Sequence, residues 1–259
     1  MVRSVSPWLT LLLAVAGCAS VVGADFGDYT LAGDSTTSAN GGAAGVGGGP
    51  GAGGNGAGPM GGGEPTIEDV GIVYAQSGAD IAGALESSLA DYFETVESVN
   101  ANQQALDDRQ LMGFDAIVVA NDSAWTHLTD TTAAVDTFVS QGGRMVALVG
   151  AFCTGLNLGE GFADQFTFLP GPIFTTPELA GRILEPSPLF DGVGALGSWR
   201  GCTVTLAQDA EALARYQDDT PLAAKRVVEG RTRVDINILP DTMSPALGQL
   251  IANAIRYPE

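Results

Sequence analysis

Two cysteines and one histidine carry most of the reactive chemistry this sequence offers. Cys153 stands in Gly150-Ala151-Phe152-Cys153-Thr154-Gly155, directly after the apolar run Met145-Val146-Ala147-Leu148-Val149. A strand that runs into a cysteine and then a glycine can present a thiolate as a nucleophile. Such a thiolate needs a base to lower its pKa, donors for the developing oxyanion, and a group that orients the base. Gly150 and Gly155 let the backbone turn sharply and aim its N–H groups. The base is the weak point, because the only histidine, His127 in Ser-Ala-Trp-Thr-His-Leu-Thr-Asp, precedes the cysteine strand. At the carboxyl edge of a parallel sheet the His127 loop can still approach Cys153, so the two form a candidate dyad. Cys202 offers the opposite fate. A bridge to it would stabilise the fold by about 4 kcal/mol in the chain-entropy model and would abolish the nucleophile. Spacing along the chain leaves both states open. One histidine, scattered acids and two distant cysteines give no metal-ligand spacing, so neither a metal nor another cofactor is expected.

The elements that must position these residues show in the hydropathy pattern. Asp69–Ala75 is a short β-branched run, and 81–93 sets Ile81, Leu85, Leu89, Tyr92 and Phe93 at helical spacing. A run around Val96 and Val99 reads as a second strand. Residues 114–122 form a third, with Ile117, Val118 and Val119 consecutive as in a strand covered on both faces. Residues 128–143 read as a helix with Val135, Phe138 and Val139 inward and Gly142 past its end. Residues 144–151 follow as another buried strand. Alternating strands and helices of this kind predict an α/β domain: a flavodoxin-like, mostly parallel sheet with helices on both faces. Between Gly155 and Pro240 the pattern loosens. A short helix is expected from near Pro177, then late antiparallel strands in 202–207, 211–216, 222–228 and 232–239. A last helix is expected over 244–257. Trp125 and Trp199 read as core indoles rather than stacking platforms.

Residues 114–122, the following helix, and the frame Ala151-Phe152-Cys153-Thr154-Gly155 together resemble the class I glutamine amidotransferase-like superfamily. The phrases Phe138–Leu148, Pro186–Gly194 and Thr220–Pro240 are similar to its non-catalytic and trehalose-utilisation-like branches. The resemblance spans most of residues 69–257. It implies a cysteine on a sharp turn between a strand and a helix, with a catalytic histidine well downstream. No histidine stands there, and Asn121-Asp122 precede Ser-Ala-Trp where catalytic relatives often carry glycines. A ligand crevice, if present, belongs at the carboxyl ends of the parallel strands, near Gln76, Asn121, Asp122 and Cys153. Asn121 and Asp122 can equally serve only to cap their turn.

The chain begins with Arg3, an apolar core from Leu9 to Ala16, and then Gly17-Cys18. That core is too short to cross a bilayer as a helix and reads as an export signal over residues 1–17. Val15-Ala16-Gly17-Cys18 resembles the bacterial lipobox, which implies cleavage before Cys18 and lipid on its thiol. Ala19, not Asp, follows; in Gram-negative lipoproteins that favours the outer membrane. Residues 18–66 are a glycine-rich tether that would span about 35–40 Å as a random coil. Residues 67–259 form the folded domain. With 11 Lys+Arg against 30 Asp+Glu, the net charge of −19 disfavours nucleic acid and anionic lipid as partners of that domain. The expected function is a membrane-tethered envelope lipoprotein whose domain binds a small molecule or a protein without catalysis. The alternative is a cysteine-dependent envelope hydrolase or amidase using Cys153.

Overall fold

The computed structural model divides the chain after Met60. Within the second unit, Gly61–Glu259, it describes residues 66–75, 80–172, 179–240 and 243–258. The export signal, Cys18 and Gln76 lie outside the described residues.

Strands β1 (Asp69–Ala75), β2 (Thr95–Asn100), β3 (Ala116–Asn121) and β4 (Arg144–Ala147) make a wholly parallel sheet in the order β2-β1-β3-β4. Its connections are helices: α1 (Ile81–Leu89), the short α2 (Asp108–Leu111) and α3 (Leu128–Ser140). The β3 residues show how the sheet is covered. Ala116, Val118 and Ala120 face the core shared with α1, whereas Ile117 and Val119 face the core shared with α2 and α3. Every β3 residue is buried, which explains its unbroken apolar run. Each helix start has its own signal except one. Asp80 accepts from the Gly83 N–H at 3.0 Å, and Asp107 with Gln110 closes a capping box on α2. At α3 His127 occupies the cap position and its side chain makes no capping bond.

Beyond β4 the chain builds a second layer of antiparallel strands. Strand β5 (Phe168–Leu169) pairs with β8 (Thr205–Leu206). A larger sheet runs β11-β10-β9-β6-β7, made of β6 (Leu179–Ile183), β7 (Ser198–Trp199), β9 (Glu211–Tyr216), β10 (Pro221–Val228) and β11 (Arg231–Ile236). Helix α4 (Pro245–Ile255), capped by Ser244, closes the chain against α1 and β4. The fold is therefore the expected flavodoxin-like α/β arrangement with late antiparallel strands.

The helix expected from Pro177 is a correction. Its described part, Leu179–Ile183, is the strand β6 between β9 and β7. Pairing on both sides is the reason: Gly181, Arg182 and Ile183 lie in register with Tyr216, Arg215 and Ala214 of β9, and Leu179 and Ala180 with Trp199 and Ser198 of β7. Helix α1 also stops at Leu89, sooner than its apolar stripe suggests, and Phe93 packs on the same core from the turn that follows.

The two sheets meet along β4 and β11, and a side chain joins them. The Asp235 carboxylate is fully buried and accepts the Ala147 N–H at 3.0 Å and the Thr167 N–H at 2.8 Å. The Arg233 Nε–H donates to the same carboxylate at 3.1 Å. Two residues further on, the Val149 N–H reaches the Ile238 carbonyl at 3.2 Å. An ion stripped of water this thoroughly survives because every lone-pair direction is used. Asp235→Ala should therefore cost about 3–5 kcal/mol by urea unfolding, because it strands the Arg233 charge and two N–H groups. Arg182→Ala, which breaks the exposed pair Arg182–Asp219, should cost no more than about 1 kcal/mol in the same assay.

Candidate functional site

The turn after β4 is built around a glycine. Gly150 has φ +99°, and a Cβ there would sit 1.9 Å from the Asn121 carbonyl oxygen. Only glycine allows the chain to turn so tightly against the end of β3. The turn then delivers Cys153 to Cys202: the two are joined as a disulfide with Cα atoms 5.9 Å apart, and both are fully buried. The Gly150 N–H points at the Cys153 sulfur from 3.2 Å. No α-helix follows the cysteine, unlike the strand–turn–helix elbow that the resemblance implies. Turns run on to a 3₁₀ helix at Glu160–Gln165. The Thr154 N–H instead donates to the Gly171 carbonyl at 2.9 Å, and the Thr203 N–H to Pro172 at 2.7 Å. Segments around 153, 171 and 203 thus lie side by side, with the disulfide crossing among them.

Asn237 fixes the other half of the bridge. Its Oδ1 accepts the Cys202 N–H at 2.7 Å, and its Nδ2 donates to the Cys202 and Pro221 carbonyls, each at 2.8 Å. A side-chain amide here imitates the two bonds of a neighbouring strand. The Tyr216 hydroxyl donates to the Asn237 carbonyl. Burial, with a smaller push from the Asp218 charge, raises the Tyr216 phenol well above its usual pKa, so it stays a donor.

The crevice candidates fare differently. Asn121 is fully buried, and its Nδ2 donates to the Ser123 and Leu156 carbonyls at 2.9 Å each. The Trp125 indole N–H donates to the same Leu156 oxygen at 2.7 Å. Asn121 thus ties the loop after Cys153 to the end of β3, and Trp125 is a core indole with a polar handle, as Trp199 is buried on the other face. Asp122 is half-buried, and its N–H donates to the Ala75 carbonyl at 3.1 Å. Sequence reading passed over Asn102. Its Oδ1 accepts the Thr126 N–H at 2.7 Å and its Nδ2 donates to the Ala124 carbonyl at 3.1 Å, binding the end of β2 to the loop that carries His127. His127 is half-buried and its carbonyl accepts the Thr131 N–H as α3 begins. The candidate dyad is corrected accordingly: the sulfur it needs is bonded to Cys202. Among the described residues no three His, Cys, Asp or Glu side chains gather as metal ligands.

No protein-family model matches the sequence, and no curated protein does. Solved structures do match. A ThuA-like protein from Bacteroides uniformis is 14% identical with a TM-score of 0.52, over 73% of this chain and 90% of its own. A protein described as cytoplasmic, from Salmonella typhimurium, is 14% identical with a TM-score of 0.57, over 71% of this chain and 97% of its own. A glutamine amidotransferase from Methylobacillus flagellatus superposes more loosely, 10% identical with a TM-score of 0.46, over 67% and 69%. Identities this low speak for shape and for no activity. The domain shares the fold of the first two: a flavodoxin-like α/β fold of the ThuA-like kind.

Proposed function

We propose that the protein is an envelope lipoprotein, anchored by lipid on Cys18 and held off the membrane by its glycine-rich tether. Its ThuA-like domain then acts as a binding module for a small molecule or a protein, without cysteine catalysis. One observation carries the second half of this reading: the Cys153 sulfur is bonded to Cys202 inside the core. A sulfur in a disulfide has no thiolate to offer. An oxidising compartment is also where such a bridge forms and persists, which agrees with export. The first half rests on the order of basic residue, apolar core, small residues and cysteine at the start of the chain. Ala19 favours the outer membrane.

Cells expressing the protein should incorporate labelled palmitate into it, and Cys18→Ser should remove both the label and the membrane association. Cleavage elsewhere in the signal with an unmodified Cys18 would sink the lipoprotein half. For the domain, alkylation without reductant followed by peptide mapping should yield a peptide joining Cys153 to Cys202. A free Cys153 that alkylates much faster than Cys202 at neutral pH would bring back the hydrolase. The bridge spans 49 residues, so the double variant Cys153→Ala/Cys202→Ala should lose about 4 kcal/mol in urea unfolding.

A further inference from the structure

A cavity of about 180 Å³ opens between β4 and β11 at the start of both strands, away from the carboxyl-end crevice. It exists because the two strands come together only further along, where Asp235 and the Val149–Ile238 bond join them. Three of the chain's ten arginines, Arg144, Arg231 and Arg233, line it, against a single acid, Glu229. In a chain of net charge −19 that convergence of cations is out of proportion.

The deepest of the three is Arg233, only 7% exposed. Its Nε–H is taken by Asp235, but its Nη2 group has no acceptor among the described residues. Asp235 does not fully neutralise it, because the same carboxylate also accepts the Ala147 and Thr167 N–H groups. Burial holds the Arg233 guanidinium below its ordinary pKa, Asp235 opposes that, and the nearby Arg226 charge adds to it. A buried donor left unpaired on a cation is costly, and an anion in the cavity would relieve it. Gln165 lines the same space and its Oε1 also lacks a partner; rotated half a turn, its amide presents N–H groups instead. Arg231 stands at the exposed rim and forms no ion pair among the described residues. Arg144 holds the wall together, its Nη1 donating to the Ile255 and Tyr257 carbonyls at 3.3 and 2.9 Å.

We propose that this cavity is a binding site for a small organic carboxylate, its two oxygens seated on Arg233 and Arg231 and its apolar body against Met145, Val234 and Ile255. Two features select that class. The volume is below the roughly 300–1,000 Å³ of drug-sized pockets, so the occupant is small. The remaining walls set Val139, Val146 and Ala254 beside the Ser140 and Thr232 hydroxyls, which gives the carbon body of an organic anion an apolar surface that inorganic phosphate would leave bare. A planar guanidinium edge suits a carboxylate. The site is separate from the Cys153 turn and does not depend on the lipid anchor.

The test is calorimetric titration of the full mature chain at low ionic strength with benzoate, its neutral analogue benzamide, and inorganic phosphate. Benzoate should bind one-to-one and benzamide should not. Because Arg233→Ala strands Asp235, the variants are Arg231→Ala and Gln165→Glu; each should weaken benzoate about tenfold or more while the circular dichroism spectrum is unchanged. No saturable benzoate binding at millimolar concentration overturns the proposal. So does equal binding of benzamide, or benzoate binding that neither variant alters. Phosphate binding tighter than benzoate, lost in both variants, overturns the assignment to a carboxylate.

Discussion

The structure depends on one carboxylate. A parallel sheet that stops at β4 and an antiparallel sheet that stops at β11 each present an edge whose backbone groups need partners. Asp235 joins them where they meet, gathering one N–H from β4, an N–H from Thr167 before β5 and the Arg233 guanidinium. Asn237, two residues on and therefore on the same side of the chain, does the equivalent service for Cys202 and Pro221. Val234, Ile236 and Ile238 alternate with them and enter the core under α4. One short segment thus carries two duties: its odd positions hold segments together by polar bonds, and its even positions fill the core.

The turn at Gly150 gains its rigidity from the same arrangement. Asn237 holds Cys202, Cys202 holds Cys153, and Asn121 and Trp125 hold the loop that leaves it through the Leu156 carbonyl. Groups that a catalytic centre would leave turned toward solvent or substrate are bonded inward instead. The shape at the end of β4 is that of a nucleophile elbow only up to the cysteine; after it, the Thr154 N–H goes to Gly171 and the chain continues in turns.

How much of this was legible depended on the range of the forces involved. Local periodicity identified β1, β3, α3 and α4, because a side chain's face is set by its immediate neighbours. It misread Leu179–Ile183, whose strand pairs with β9 and β7 from further along the chain. Asn121 stood out as a polar residue at a strand end, yet nothing local told that its amide points into the protein. Arg233 and Asp235 alternate with Val234 and Ile236 in the sequence, and only the arrival of β4 alongside makes them a buried pair. Asn102 carried no signal, since its partners Ala124 and Thr126 lie more than twenty residues away.

The place where the chain enters the domain has a mechanical meaning. The described chain leads directly into β1, which lies in the middle of the parallel sheet with β2 on one side and β3 on the other. A pull on the N-terminal end therefore loads two ladders along their length, and their bonds must slide together rather than open one after another like a zipper. The hairpin of β10 and β11, joined by a tight turn at Glu229-Gly230, lies on the far sheet and outside that line of force. Force entering at Asp69 therefore meets the two inner ladders of the parallel sheet before it reaches any edge strand.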